Sequence, residues 1–189
     1  MQLKGALSGK RVAIIISLFL SLLSSMSQSA NLMLSVGKGM NDTLIQSESI
    51  SGAKQFSLGY VWDSNYQFES EFFGNSKLEY ELYVTEISDQ QKLKAIVFRP
   101  VLNFMGDTSR SYNWYWQFGL GLSYFDSRML GPIEFSSKGQ FATMLGIGVP
   151  LDNKQNHRLT LRYNHYSNAY LSTPNPGLDT LSLDWHMRL

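Results

Sequence analysis

Three side chains able to run a nucleophilic hydrolysis stand close together near the C-terminal end. They are His165, Ser167 and Asp179, in the stretch HYSNAYLSTPNPGLD. A hydroxyl is a weak nucleophile; it needs a base to take its proton and a third group to fix the base's tautomer. Residues two apart on a strand share a face, about 6–7 Å apart at the backbone, within reach for an imidazole and a hydroxyl. If the next strand returns antiparallel alongside, Asp179 can reach the far nitrogen of His165. The plainer reading is that these groups mark the polar edge of an apolar band, since strand ends are ordinarily polar. The residues alone leave both readings open.

Little else in the chain offers chemistry. His186 alternates onto the polar face of the last strand, where Asp184 and Arg188 would join it in a network; His157 falls in a turn at the opposite end. No His/Asp/Glu cluster has metal-ligand spacing and no glycine-rich phosphate loop follows a strand, so no metal or cofactor is expected. The 189 residues carry a net charge of +1 and no cysteine. Thiolate sites are therefore excluded, and the absence of a basic run argues against nucleic acid as a partner.

Alternation with a period of two runs through almost everything after residue 54 and defines what must position these groups. In YNWYWQFGLGLSY, residues Tyr112, Trp114, Trp116, Phe118, Leu120, Leu122 and Tyr124 alternate with polar or small ones. The pattern predicts eight strands, near 31–37, 54–62, 66–86, 93–104, 112–125, 138–149, 158–167 and 179–189. The third is read as one long strand running through GNS, with DSN (63–65) as the turn before it. A water-soluble barrel would hide the apolar face inside. Rings as large as Trp114 and Trp116 in succession would crowd so narrow an interior, whereas Gly119, Gly121, Gly146 and Gly148 suit it. The expected fold is all-β: an eight-stranded antiparallel transmembrane β-barrel of the outer membrane, with aromatic residues toward lipid and a polar lumen. By parity, His165, Ser167 and Asp179 face lipid, where polar groups are costly unless used. With a periplasmic N-terminus, Ser167 comes at the external end of the seventh strand.

The N-terminus reads as a targeting segment. Lys4, Lys10 and Arg11 precede a short apolar core, Val12 to Leu23, followed by SSMSQSA. That core is short for a membrane span. Residues 1–30 are expected to be a cleaved signal peptide, with a cut after Ser29 as a variant and an N-terminal anchor as the alternative. Residues 31–189 form one barrel domain. No later stretch is apolar enough for a transmembrane helix.

HYSNAYLSTPNPGLD, followed by an alternating final strand, resembles the PagL-type lipid A 3-O-deacylases of the bacterial outer membrane. Their motif is a His-x-Ser-Asn-Ala run, an Asn-containing turn and then an acidic residue. The resemblance implies a serine esterase that hydrolyses the ester-linked acyl chain at position 3 of lipid A and releases a 3-hydroxy fatty acid. Carried onto this chain, it makes Ser167 the nucleophile, His165 the general base and Asp179 the orienting acid. Asn168 and the backbone N–H of Tyr170 would serve the oxyanion, with Asn175 in the supporting turn. Two departures are visible: the family's acid is usually Glu, and Gly usually stands where this chain has Tyr170. The implied partners are lipopolysaccharide as substrate and the surrounding outer-membrane lipids; a homodimer is left open. The rival readings are a non-catalytic adhesin or structural barrel, and another outer-membrane phospholipase or esterase.

Overall fold

The period-two alternation closes on itself. The computed structural model describes residues 30–41, 49–70, 74–105 and 114–189. Its strands are β1 (Ala30–Gly39), β2 (Lys54–Ser70), β3 (Gly74–Ser88), β4 (Lys92–Met105), β5 (Tyr115–Phe125), β6 (Met129–Leu130), β7 (Ile133–Glu134), β8 (Gly139–Pro150), β9 (His157–Ser167) and β10 (Leu178–Arg188). Eight of them form a closed barrel in the order β1-β10-β9-β8-β5-β4-β3-β2, and β6 and β7 make a separate small hairpin. Every barrel pairing is antiparallel, β1 with β10 included, so no strand edge is left open along the paired rows. The end bearing the connections 40–53, 89–91, 126–138 and 168–177 is called the upper end below.

Parity sorts the residues as expected. Phe56, Tyr60, Trp116, Leu120, Leu122 and Leu145 stand exposed on the outer wall. A wall of that composition is unfavourable in water and favourable in hydrocarbon. The lumen is packed with charge instead. Glu81 lies between two arginines, 2.6 Å from Arg162 and 3.0 Å from Arg99; Arg162 also meets Asp184 at 3.1 Å, and Arg158 meets Glu79 at 2.9 Å. Glycine makes room for these long side chains. A Cβ on Gly121 would stand 2.1 Å from the Phe98 carbonyl oxygen, and one on Gly119 would stand 2.8 Å from Arg99 Cδ. Nearer the upper end the filling turns apolar, with Ile50, Leu130, Ile133, Phe135 and Leu178 buried together. There the Phe125 ring meets Phe135 at 5.2 Å and Tyr166 at 5.9 Å.

The structure corrects four expectations. DSN is not a turn: β2 runs through it, with a register shift between Asp63 and Gln67 and Asn65 at φ 63°. Ser64 Oγ donates to the Leu78 carbonyl across the irregularity at 2.8 Å, which keeps the pairing intact. The expected long strand over 66–86 is two strands, with their connection at 71–73. Parity could not reveal this, because partners such as Phe68 and Ser76 have equal parity, so the alternation runs on unbroken through the turn. The connection 126–138 carries the unforeseen β6–β7 hairpin, turned at Gly131 (φ 58°). Finally, His186 is buried but joins no hydrogen-bond network, since neither ring nitrogen has a hydrogen-bond partner among the described residues. Asp184 accepts from Ser35 and Ser182 instead, at 2.7 Å each. The expected fifth strand begins at Tyr115; Tyr112 and Asn113 lie outside the described residues, as does the expected signal segment but for Ala30, the first residue of β1.

Candidate active site

Register, more than sequence spacing, assembles this site. In the β9–β10 ladder His165 and Asp179 are direct partners. Such pairs hold their Cβ atoms about 4.5–5.5 Å apart on one face. The short carboxylate therefore suffices: Asp179 Oδ1 lies 2.6 Å from His165 Nδ1. An ionised carboxylate only accepts, so Nδ1 carries the proton and donates it to Asp179. Nε2 is left as an acceptor, and Ser167 Oγ donates to it at 2.9 Å. Hydroxyl, imidazole and carboxylate thus stand in line on the outer wall, at the upper end of β9. His165 is 7% exposed and Asp179 0%, so water is largely excluded from the two supporting groups.

The chain after Ser167 bends sharply. Ala169 and Tyr170 both take left-handed backbone, at φ 53° and 59°. Tyr170 is 69% exposed, so its ring leaves the site clear, and the departure from Gly is carried by the backbone alone. Asn168 anchors the bend. Its backbone N–H donates to Asn175 Oδ1 at 2.9 Å, and its own carbonyl accepts from the Leu171 N–H at 3.1 Å. The side-chain Nδ2 donates to Ser136 Oγ at 2.7 Å and to the Ser172 carbonyl at 2.8 Å. Ser136 belongs to the connection that carries β6–β7, and its own N–H donates to the Pro174 carbonyl at 3.0 Å. Two loops are thereby clasped over the site. All six expected residues lie in this one region, but the backbone N–H and the side-chain amide of Asn168 are both engaged by the two loops. Sequence reasoning missed Ser136 and Ser172, because loop-to-loop contacts leave no periodic signal.

Beside Ser167, its register partner Phe141 opens a groove of about 710 Å³ along the outer wall. Leu82, Phe98, Leu122, Tyr124, Phe141 and Leu171 line it, and Asn168 stands at its edge. An ester whose acyl chain lay in this groove would reach Ser167 without leaving an apolar surface.

Fold and site together define a small membrane β-barrel that carries hydroxyl, imidazole and carboxylate in line on its lipid-facing side. Residues 54–188 match the family model described as lipid A 3-O-deacylase (PagL), and the chain belongs to that family. The matched span contains every residue of the site just described. Among curated proteins, the chain is 37% identical over 71 residues to the lipid A deacylase PagL of Bordetella bronchiseptica, covering 38% of this chain and 39% of that protein. It is 31% identical over 91 residues to the lipid A deacylase PagL of Pseudomonas aeruginosa, covering 47% of this chain and 50% of that protein. The chain thus spans half or less of the length of these relatives. The crystal structure of the outer membrane enzyme PagL superposes with a TM-score of 0.68 at 22% identity, over 84% of this chain and 99% of that one, which shows the shared barrel fold. Fold and family together make this an outer-membrane β-barrel.

Proposed function

We propose that the protein is a lipid A 3-O-deacylase that works as a serine esterase in the outer membrane. The observation that carries the reading is the unbroken line from Ser167 Oγ through His165 to Asp179 on the lipid-facing wall. Ser167 attacks the carbonyl carbon of the 3-linked ester while His165 Nε2 takes the hydroxyl proton. The resulting oxyanion accepts hydrogen bonds from backbone N–H groups at the Ala169–Tyr170 bend, Tyr170 foremost. Asn168 and Asn175 act as positioning residues that hold the bend. The C–O bond to the sugar then breaks, and the leaving oxygen takes the proton back from His165. Water, deprotonated by the same imidazole, cleaves the acyl-enzyme and releases a 3-hydroxy fatty acid. Asp179 stays ionised throughout and stabilises the imidazolium that forms twice in the cycle.

The location supports the substrate. The upper end carries the longer connections, which outer-membrane barrels direct outward. Ser167 is then level with the headgroup side of the outer leaflet, where lipopolysaccharide stands, and the adjoining groove takes the acyl chain. A solvent-facing hydrolase or a purely structural barrel has no use for such a line of polar groups on its lipid side. Mass spectrometry of lipid A from cells carrying this chain tests the reading. One hydroxyacyl group is expected to disappear, and Ser167→Ala or His165→Ala is expected to restore it. Unmodified lipid A alongside a folded, membrane-inserted wild-type barrel overturns it.

A further inference from the structure

The site has two unlike flanks. On the β8 side lies the apolar groove. On the other side, beyond Asp179, the outer wall carries Lys38 of β1 and Lys54 of β2. These two residues are direct register partners, and both are exposed. Like charges so placed repel each other and destabilise the pairing. The same row continues through Ser88 to Lys92. There the charge is compensated: Glu86 lies 2.8 Å from Lys92 and 3.8 Å from Lys94. Lys38 and Lys54 make no ion pair or hydrogen bond with any described residue. On the same face Asp179 is buried and bound to His165, and Glu86, diagonal to Lys54 on β3, is paired with Lys92 and Lys94. Val36 and Phe56, just below them, are exposed and apolar. The two ammonium groups thus stand at the upper margin of the lipid-facing wall.

We infer that Lys38 and Lys54 form a phosphate subsite that holds a headgroup phosphate of the lipid substrate beside the ester attacked by Ser167. The inference rests on the deacylase reading for the identity of that lipid and deepens it. A phosphate between the two ammonium groups turns mutual repulsion into paired, charge-assisted hydrogen bonds. Geometry suits one sugar ring. Lys38 pairs with Leu181 of β10, two residues from Asp179 on the same face, and β9 is the next strand over. Leu181 in turn pairs with Tyr163, four residues below Ser167. Two strand spacings and four residues of rise put the Lys38 and Ser167 backbones about 16 Å apart, a span that an extended lysine side chain and a phosphorylated sugar ring close between them. The acyl chain then points toward the groove on β8 and the phosphate toward β1 and β2, so the lipid has one orientation across the site. The source of the phosphate is the membrane lipid and not free phosphate, because the apolar residues beneath the pair require an acyl-bearing ligand.

Binding, measured apart from turnover, separates this inference from the deacylase reading. The full-length Ser167→Ala barrel, folded in detergent micelles as judged by heat-modifiable migration, is titrated with lipid A and with enzymatically dephosphorylated lipid A. The phosphorylated form is expected to bind about tenfold more tightly, and Lys38→Gln with Lys54→Gln is expected to abolish that preference. Lys38→Arg with Lys54→Arg, which keeps both charges, is expected to retain it. Equal affinity for the two lipids, an unchanged preference in the folded Gln variant, or competition by millimolar inorganic phosphate as effective as the lipid's own binding overturns the subsite. If the preference stands while the wild-type barrel leaves lipid A intact, the deacylase reading falls and the subsite survives.

Discussion

Two of the barrel's polar assemblies, both in surroundings that punish polarity, are built on opposite plans. In the lumen, Glu81, Arg99, Arg162 and Asp184 are joined sideways into a closed network, cross-braced by Gln117, Asn164 and Ser182. On the outer wall, Asp179, His165 and Ser167 form a single file that ends in a hydroxyl. The lumen network has nothing left to offer a ligand. The outer file has one free end, and that end abuts an apolar groove. A buried charge network of the first kind holds the fold and is costly to break. A line of the second kind contributes little to the fold, so its presence on a lipid face points to chemistry. Saturation, more than polarity, separates structure from function here.

Substitutions that split stability from activity test this contrast. Ser167→Ala is expected to lower ester hydrolysis at least about a thousandfold while the unfolding free energy from urea titration changes by less than about 0.5 kcal/mol. A large stability loss in this variant would erase the distinction. Asp179→Asn is expected to cut the rate by roughly a hundredfold to ten-thousandfold, because an amide no longer enforces the Nδ1–H tautomer; rate measurements on the folded variant check this. Glu81→Ala reverses the pattern. It strands Arg99 and Arg162 in the lumen and is expected to cost about 3–5 kcal/mol, read as a lower urea midpoint. Ser136→Ala removes one hydrogen bond from the Asn168 clasp and is expected to lower kcat about twofold to tenfold with KM unmoved, Ser136→Thr restoring the rate. Tyr170→Gly has the smallest expected effect. It removes the side-chain penalty of left-handed backbone and raises stability by up to about 1 kcal/mol, less whatever glycine's freedom returns to the unfolded chain.

The exterior was legible because strand parity is a local property: Trp116, Leu120 and Leu122 declare their face whatever the rest of the chain does. The break between β2 and β3 was not, since equal parity on both paired strands hides it. The relation between His165 and Ser167 could be read from spacing alone, two residues along one strand. That Asp179 stands directly opposite His165 is a matter of register, which sequence suggests through the intervening loop but does not determine. The clasp from Ser136 to Asn168 joins residues far apart in the chain through loop geometry and left no trace. His186 departs from expectation because polar parity places a ring in the lumen without supplying it a hydrogen-bond partner.

The apolar filling of the upper lumen also bears on the cell's permeability. Phe125, Phe135, Leu130, Ile133 and Tyr166 close the bore above a charge network that is itself tightly packed. A barrel sealed in this way is expected to insulate: reconstituted into a planar bilayer, it is expected to give no ion conductance. On the proposed deacylase reading, the released fatty acid would leave sideways into the leaflet, because the bore is closed. The membrane can therefore carry many copies without becoming leaky to ions or small hydrophilic toxins.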